Sequence, residues 1–126
     1  MRFTLGKDTK LKSKKAIEQL FTDGKSIRKG PVRCVFNLVE GDTAHKIGVS
    51  VSKRFFKKAP DRNRIKRLLR EAYRLNQHHL IIDKEGKHLE IMFLFQSPKM
   101  PEYAFVEKQV KKLISDLNKH YQKSLD

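Results

Sequence analysis

Between Lys53 and Arg74, ten of twenty-two residues are Lys or Arg. Placed on a helix at about 100° per residue with Ile65 at zero, Leu68, Leu69, Ala72 and Asn76 fall within about 60° of it. Asn63, Lys66, Arg67, Arg70 and Arg74 lie between roughly 100° and 200°. One face is apolar and the other is a ridge of cations. Arginine dominates the ridge, and its planar fork can grip two phosphate oxygens or lie flat on a base. Asn63, between Arg62 and Arg64, can donate and accept, so it suits a sugar hydroxyl or base edge as well as a helix cap. A solvated helix face is the plainer reading of such a ridge. Against it, the only acids nearby are Asp61 and Glu71, too few to pair the cations at i, i+4 spacing. A phosphate backbone would relieve that repulsion.

Aromatic residues near a basic surface can stack unpaired bases, each worth roughly 1 to 3 kcal/mol. Phe21, Phe36, Phe55 and Phe56 are candidates for stacking, although periodicity alone favours core packing for any one of them, while Phe93 and Phe95 sit in an apolar run and belong to the core. No enzyme site is legible in the chain. It has no Gly-rich phosphate loop, no H-E-x-x-H, no paired carboxylates and no nucleophile beside a base. His45, His78, His79, His88 and His120 are scattered, and the single Cys34 belongs to no cluster with zinc spacing. The expectation is therefore no catalytic residue and no metal ligand on the protein, with any chemistry done by a partner.

These residues need a scaffold to position them. The chain has 126 residues, near the size of one domain, and 29 Lys and Arg against 14 Asp and Glu give a net charge of +15. A surplus spread along most of the chain calls for a polyanionic partner. With 38% hydrophobic residues and eight Phe, the chain should nonetheless fold. Its longest apolar stretches are only a few residues and no hydrophobic signal region opens it. A soluble cytoplasmic protein without a membrane partner is expected.

Residues 1–12 read as a basic arm of one domain spanning 1–126. Ser13 is placed as the N-cap of a short helix to about Thr22, ended by Asp23-Gly24, with Ile17, Leu20 and Phe21 on one face. Val32 to Glu40 reads as a strand with Cys34, Phe36 and Leu38 on one side. His45 to Ser52 alternates strictly, with Ile47, Val49 and Val51 on its buried side. With Gly41-Asp42 between them, the two strands are expected to pair as an antiparallel hairpin. Pro60 suits a helix start, and that helix runs to about His79. Leu89 to Phe95 is almost wholly apolar, as a central strand covered on both faces would be. Pro101-Glu102 opens a last helix with Val106, Val110, Leu113, Leu117 and Tyr121 as its core stripe and lysines elsewhere. The order is helix, two strands, helix, strand, helix, with room for one more short strand near Ser26: an α+β or split α/β sandwich. Strand, helix and strand from Ile47 through Ile65 to Ile91 predict a parallel pair joined by a crossover, right-handed by default.

The pattern Lys53-Arg54-x4-Ala59-x2-Arg62-Asn63-Arg64-x-Lys66-Arg67-x2-Arg70-Glu71 resembles the Arg-Asn-Arg motif of the protein subunit of bacterial ribonuclease P. Lys10-Leu11-Lys12 before the first helix and Ile47-Gly48-Val49-Ser50-Val51-Ser52-Lys53 leading into the motif extend the likeness over nearly the whole chain. The resemblance implies a two-layer α/β sandwich similar to ribosomal-protein domains, with three helices, a central mixed sheet of roughly four strands and a left-handed β-α-β crossover. It implies a protein that is monomeric when free and assists a catalytic RNA in removing the 5′ leader of precursor tRNA. Magnesium would belong to the RNA-containing holoenzyme, with no cofactor held by the protein alone. In that family the motif helix contacts the catalytic RNA, which carries over to Lys53, Arg54, Arg62, Asn63, Arg64, Lys66, Arg67, Arg70 and Arg74. The leader lies between the first helix and the sheet, which carries over to Lys10, Lys12, Ile17, Phe21 and Phe36. Ile17 stands where many members carry Phe, and Pro60 stiffens a lead-in that often contains glycine. A structural RNA-binding protein of ribosomal type would share charge and fold without promoting cleavage. A helix-turn-helix DNA binder is disfavoured by the flanking strands, so no DNA partner is expected.

Overall fold

The computed structural model describes residues 9–123. Its elements are α1 (Lys14–Asp23), β1 (Lys25–Lys29), β2 (Val32–Glu40), β3 (Lys46–Val51), α2 (Ala59–Asn76), β4 (Lys87–Phe95) and α3 (Tyr103–Lys123), with a 3-10 turn over Gln77–His79 extending α2. Ser13 caps α1 as its chemistry predicts, accepting from the Ala16 N–H at 3.2 Å. At the other end the Gly24 N–H donates to the Leu20 carbonyl at 2.7 Å. A Cβ on Gly24 would sit 2.3 Å from that oxygen and 3.0 Å from Val35 Cγ1. Helix and sheet thus approach where only glycine fits.

The sheet order is β1-β2-β4-β3. β3 and β4 are parallel, with Ile47 opposite Ile91, and α2 makes the crossover between them. The hairpin expected from Val32–Glu40 and His45–Ser52 does not form. β2 pairs antiparallel with β1 and β4, and the tight turn is Gly30-Pro31, where Gly30 takes the left-handed φ of 57°. The apolar run Leu89–Phe95 explains the difference. It is the strand with most to hide, so it takes an interior position and separates β2 from β3. The short strand suspected near Ser26 is real and becomes the hairpin partner.

Alternation sorts the side chains onto two faces. On one face Val32, Cys34, Phe36, Ile47, Val51, Leu89, Ile91, Phe93 and Phe95 pack against α2 and α3 through Ile65, Leu69, Val106, Val110, Leu113 and Leu117. Each such side chain, once fully buried, contributes about 1.5 to 3 kcal/mol. On the other face α1 and the arm cover only part of the sheet, with Leu20 and Leu11 packed on Val35 and Met92. Leu11, an apolar residue between two lysines with no periodicity to announce it, is buried. Its N–H donates to the Ile47 carbonyl at 2.8 Å, and Lys10 forms an isolated parallel bridge to Ile47. Lys10 and Leu11 therefore lie along the outer edge of β3, and residues 1–8 of the expected arm lie outside the described residues.

His45 ties three segments together. Its Nδ1 accepts from the Leu89 N–H at 2.9 Å, and its Nε2–H donates to the Ile82 carbonyl at 3.1 Å. That pattern requires the neutral ring.

Candidate nucleic-acid interface

The connection from β3 to α2 carries the first cations. Phe56 is buried against Phe95, with ring centroids 6.3 Å apart, which anchors the loop at the sheet end. Phe55 is half-buried, and the Arg54 guanidinium lies over its ring at 5.5 Å. The α2 N-cap is Lys58, whose side chain makes no cap bond; Pro60 stands in the first turn with Asp61. The capping role considered for Asn63 is not taken up, and its side chain is exposed.

The cations of α2 divide into two groups. Arg62 turns inward: its Nη1 donates to the Phe56 and Lys57 carbonyls, each at 2.8 Å, so it pins the preceding loop to the helix. Arg74 grips Glu71 through two parallel bonds, Nε to Oε2 at 3.0 Å and Nη2 to Oε1. The hydrogen bond from Arg74 holds the Glu71 carboxyl below its usual range, and the same bond raises Arg74 further. Arg64, Arg67 and Arg70 are exposed and Lys66 is half-exposed. Among the described residues, the ion pairs are Lys29–Asp116, Arg74–Glu71 and Lys87–Glu40, which leaves those four cations without an acidic partner. Lys53 at the loop's start is likewise exposed.

Behind the ridge lies a polar network that helical periodicity hinted at only by putting an Asn in an apolar stripe. Asn76, buried, donates to the Ala72 carbonyl at 2.7 Å and to Glu107 Oε2 at 3.1 Å. The Tyr103 hydroxyl donates to the same Glu107 oxygen at 3.0 Å. These bonds from Asn76 and Tyr103 hold Glu107 below the usual carboxylate range, and they fix α2 against α3. Tyr73, which lies outside the predicted stripe, is buried beside Phe93 at 6.0 Å between centroids.

The second candidate surface is the partly covered sheet face beside α1. Strand register places Ser26, Val35, Met92 and Gly48 in one row and Arg28, Arg33, Leu94 and Ser50 in the next. Arg33 Nε donates to Ser26 Oγ at 2.7 Å, and Arg28 donates to Gln96 Oε1. On α1, Ile17 packs partly on the Leu20 cluster, and Phe21 is 45% exposed. Lys10 and Lys12 flank buried Leu11 and are exposed. Phe36 does not join them. It points to the opposite face, is 1% exposed, and meets Tyr121 and His120 edge-on at 6.0 and 5.2 Å. The reason is parity: Phe36 shares its side of β2 with Cys34, and that side faces α3 rather than α1.

Cys34 is buried, and burial pushes its thiol well above the usual range, the opposite of what a nucleophile needs. Among the described residues no three His, Cys, Asp or Glu side chains converge as a metal site would require. No described helix is long and apolar enough to cross a membrane.

A mixed sheet with a helical pair on one face, α1 over part of the other, and a cationic helix leading out of an edge strand define a small basic α+β protein. The family model described as Ribonuclease P matches residues 5–118. A ribonuclease P protein component from Porphyromonas gingivalis strain W83 is 35% identical over 117 residues, covering 87% of this chain and 83% of the relative. Among solved structures, the Staphylococcus aureus RNase P protein superposes with a TM-score of 0.67 at 18% identity, covering 88% of this chain and 96% of that one. The Thermotoga maritima RNase P protein, solved with 1-(4-fluorophenyl)-2-thiourea, superposes with a TM-score of 0.68 at 22% identity, covering 83% and 96%. The chain belongs to the ribonuclease P protein family.

Proposed function

We propose that the chain is the protein subunit of a cytoplasmic ribonuclease P ribonucleoprotein that removes the 5′ leader of precursor tRNA. The catalytic RNA, with its magnesium ions, performs the hydrolysis. The protein contributes binding and contributes no catalytic residue. The observation that carries this reading is the row of exposed Arg64, Arg67 and Arg70 with half-exposed Lys66, none with an acidic partner, in a chain of this family. Four cations held along one helix repel one another, and contact with RNA phosphates removes that repulsion while releasing counterions. Arg62 acts one step back: by holding the Phe56 and Lys57 carbonyls it sets the loop that carries Lys53 and Arg54.

The leader is assigned to the sheet face beside α1, with exposed Phe21 for stacking, Ile17 at its side, Lys10 and Lys12 for phosphates, and the Ser26–Arg33 pair on the floor. Phe36 is left out because it is walled off by α3. Neutralising phosphates lets the RNA, its ions and the substrate assemble at lower salt; the protein, a monomer when free, lowers an assembly cost. The test is cleavage of precursor tRNA at low magnesium by the catalytic RNA with and without the protein. Cleavage is expected to need the RNA and to rise on adding protein. Cutting by the purified polypeptide alone, or no stimulation at any magnesium concentration, would overturn the reading.

A further inference from the structure

α3 carries a second cationic surface that the α2 ridge does not account for. On a helix of about 100° per residue with Lys108 at zero, Lys112, Ser115 and Lys119 fall within about 40° and Lys111 at about 60°, with Val110, Leu113 and Leu117 on the far side. All four lysines and Ser115 are exposed, and the far side is core. Lys108 to Lys119 spans about 16 Å at 1.5 Å per residue. Both acids of α3 have other partners, and Glu107 meets the row only through the charge of Lys111. Glu107 accepts from Asn76 and Tyr103, and Asp116 is paired with Lys29 of β1 at 3.2 Å. The row also continues where α2 stops. Asn76 at the end of α2 meets Glu107, and the His79 carbonyl accepts from Asn118 Nδ2 at 2.7 Å. These two joints bracket Lys108, Lys111 and Lys112 in the chain, and Lys111 shares a surface groove with His79, Ser115 and Asn118.

We infer that the Lys108–Lys111–Lys112–Lys119 face of α3 is a second phosphate-binding track for the catalytic RNA, taking over the backbone beyond the end of α2. Charge complementarity argues for a nucleic acid over an apolar partner, and adjacency to the ridge argues for the same RNA over the substrate. The inference rests on the reading that the ridge contacts catalytic RNA, so the experiment compares two variants. K108Q/K112Q/K119Q and R64Q/R67Q/R70Q are each titrated with the catalytic RNA over a range of salt, with circular dichroism as the fold control. The α3 variant should flatten the slope of log affinity against log salt by about two to three units, and leave the KM for precursor tRNA unchanged once protein saturates the RNA. A photocrosslinker replacing Lys112 in the assembled holoenzyme should label the catalytic RNA. An unchanged slope in the α3 variant beside a flattened one in the ridge variant overturns the inference and leaves the ridge reading standing. An unchanged slope in the ridge variant overturns that reading itself. A shift in KM alone, or label found only on precursor tRNA or on a protein, assigns the face elsewhere and also overturns the inference.

Discussion

Phe21 and Phe36 show how differently two aromatic residues can be used in one small domain. Phe36 fills the space between β2 and α3, and truncating such a side chain typically costs about 3 to 5 kcal/mol. Phe36→Ala should therefore lower the urea midpoint sharply and reduce activity only as folded protein is lost. Phe21→Ala removes half-solvated surface, so its unfolding midpoint should move little. Its KM for precursors with long leaders should rise while affinity for the catalytic RNA holds. A large loss of stability in Phe21→Ala would place that ring in the core. The alternation in β2 made the shared side of Cys34, Phe36 and Leu38 legible in the sequence. It could not say which helix that side would meet, because the choice rests on how β2 sits against α1 and α3. The same holds for Arg62: its spacing resembles that of its neighbours, and only the path of the Lys53–Lys58 loop turns it inward.

Elements with a strong local signal were legible: the Ser13 cap, the apolar stripes of α2 and α3, and the apolar run of β4. Pairing was harder to read, since β3 finds its partner across a helical crossover while the turn signal at Gly41-Asp42 imitates a hairpin. His45 works at this scale, because it holds the start of β4 and the segment before it onto β3. Burial, more than the nearby His88, holds His45 below its ordinary pKa, against opposing contributions from the Ile82 carbonyl and Asp83. The unfolded chain therefore takes up the proton first as pH falls. Stability should be level above the ordinary histidine range and drop as pH passes below about 6.5 toward the lower folded value. Urea unfolding at pH 7.5 and 5.5 measures it, and His45→Gln should shrink the difference between the two. An equal difference in both proteins would mean that other groups set it.

For the whole molecule, a net charge of +15 speeds encounter with RNA and makes every affinity depend on salt. With Arg62 and Arg74 engaged internally, Lys53, Arg54, Arg64, Lys66, Arg67 and Arg70 are left to the ridge. About six phosphate contacts on the ridge correspond to a share of about −4 to −5 in the slope of log affinity against log salt, beside that of the α3 face. Arg67→Ala should flatten the measured slope by about one unit, and an unchanged slope would remove Arg67 from the interface. The composition made the polyanionic partner legible, whereas the division of cations between internal and outward duties required the folded chain. The docking of Leu11 on Ile47 has a consequence for solubility. An outermost strand with bare amide and carbonyl groups invites another chain to add on, and stacked copies lead toward fibres. By occupying that rung, Lys10 and Leu11 guard against self-association, so a protein trimmed past Leu11 should clump while still carrying every cation on its helices.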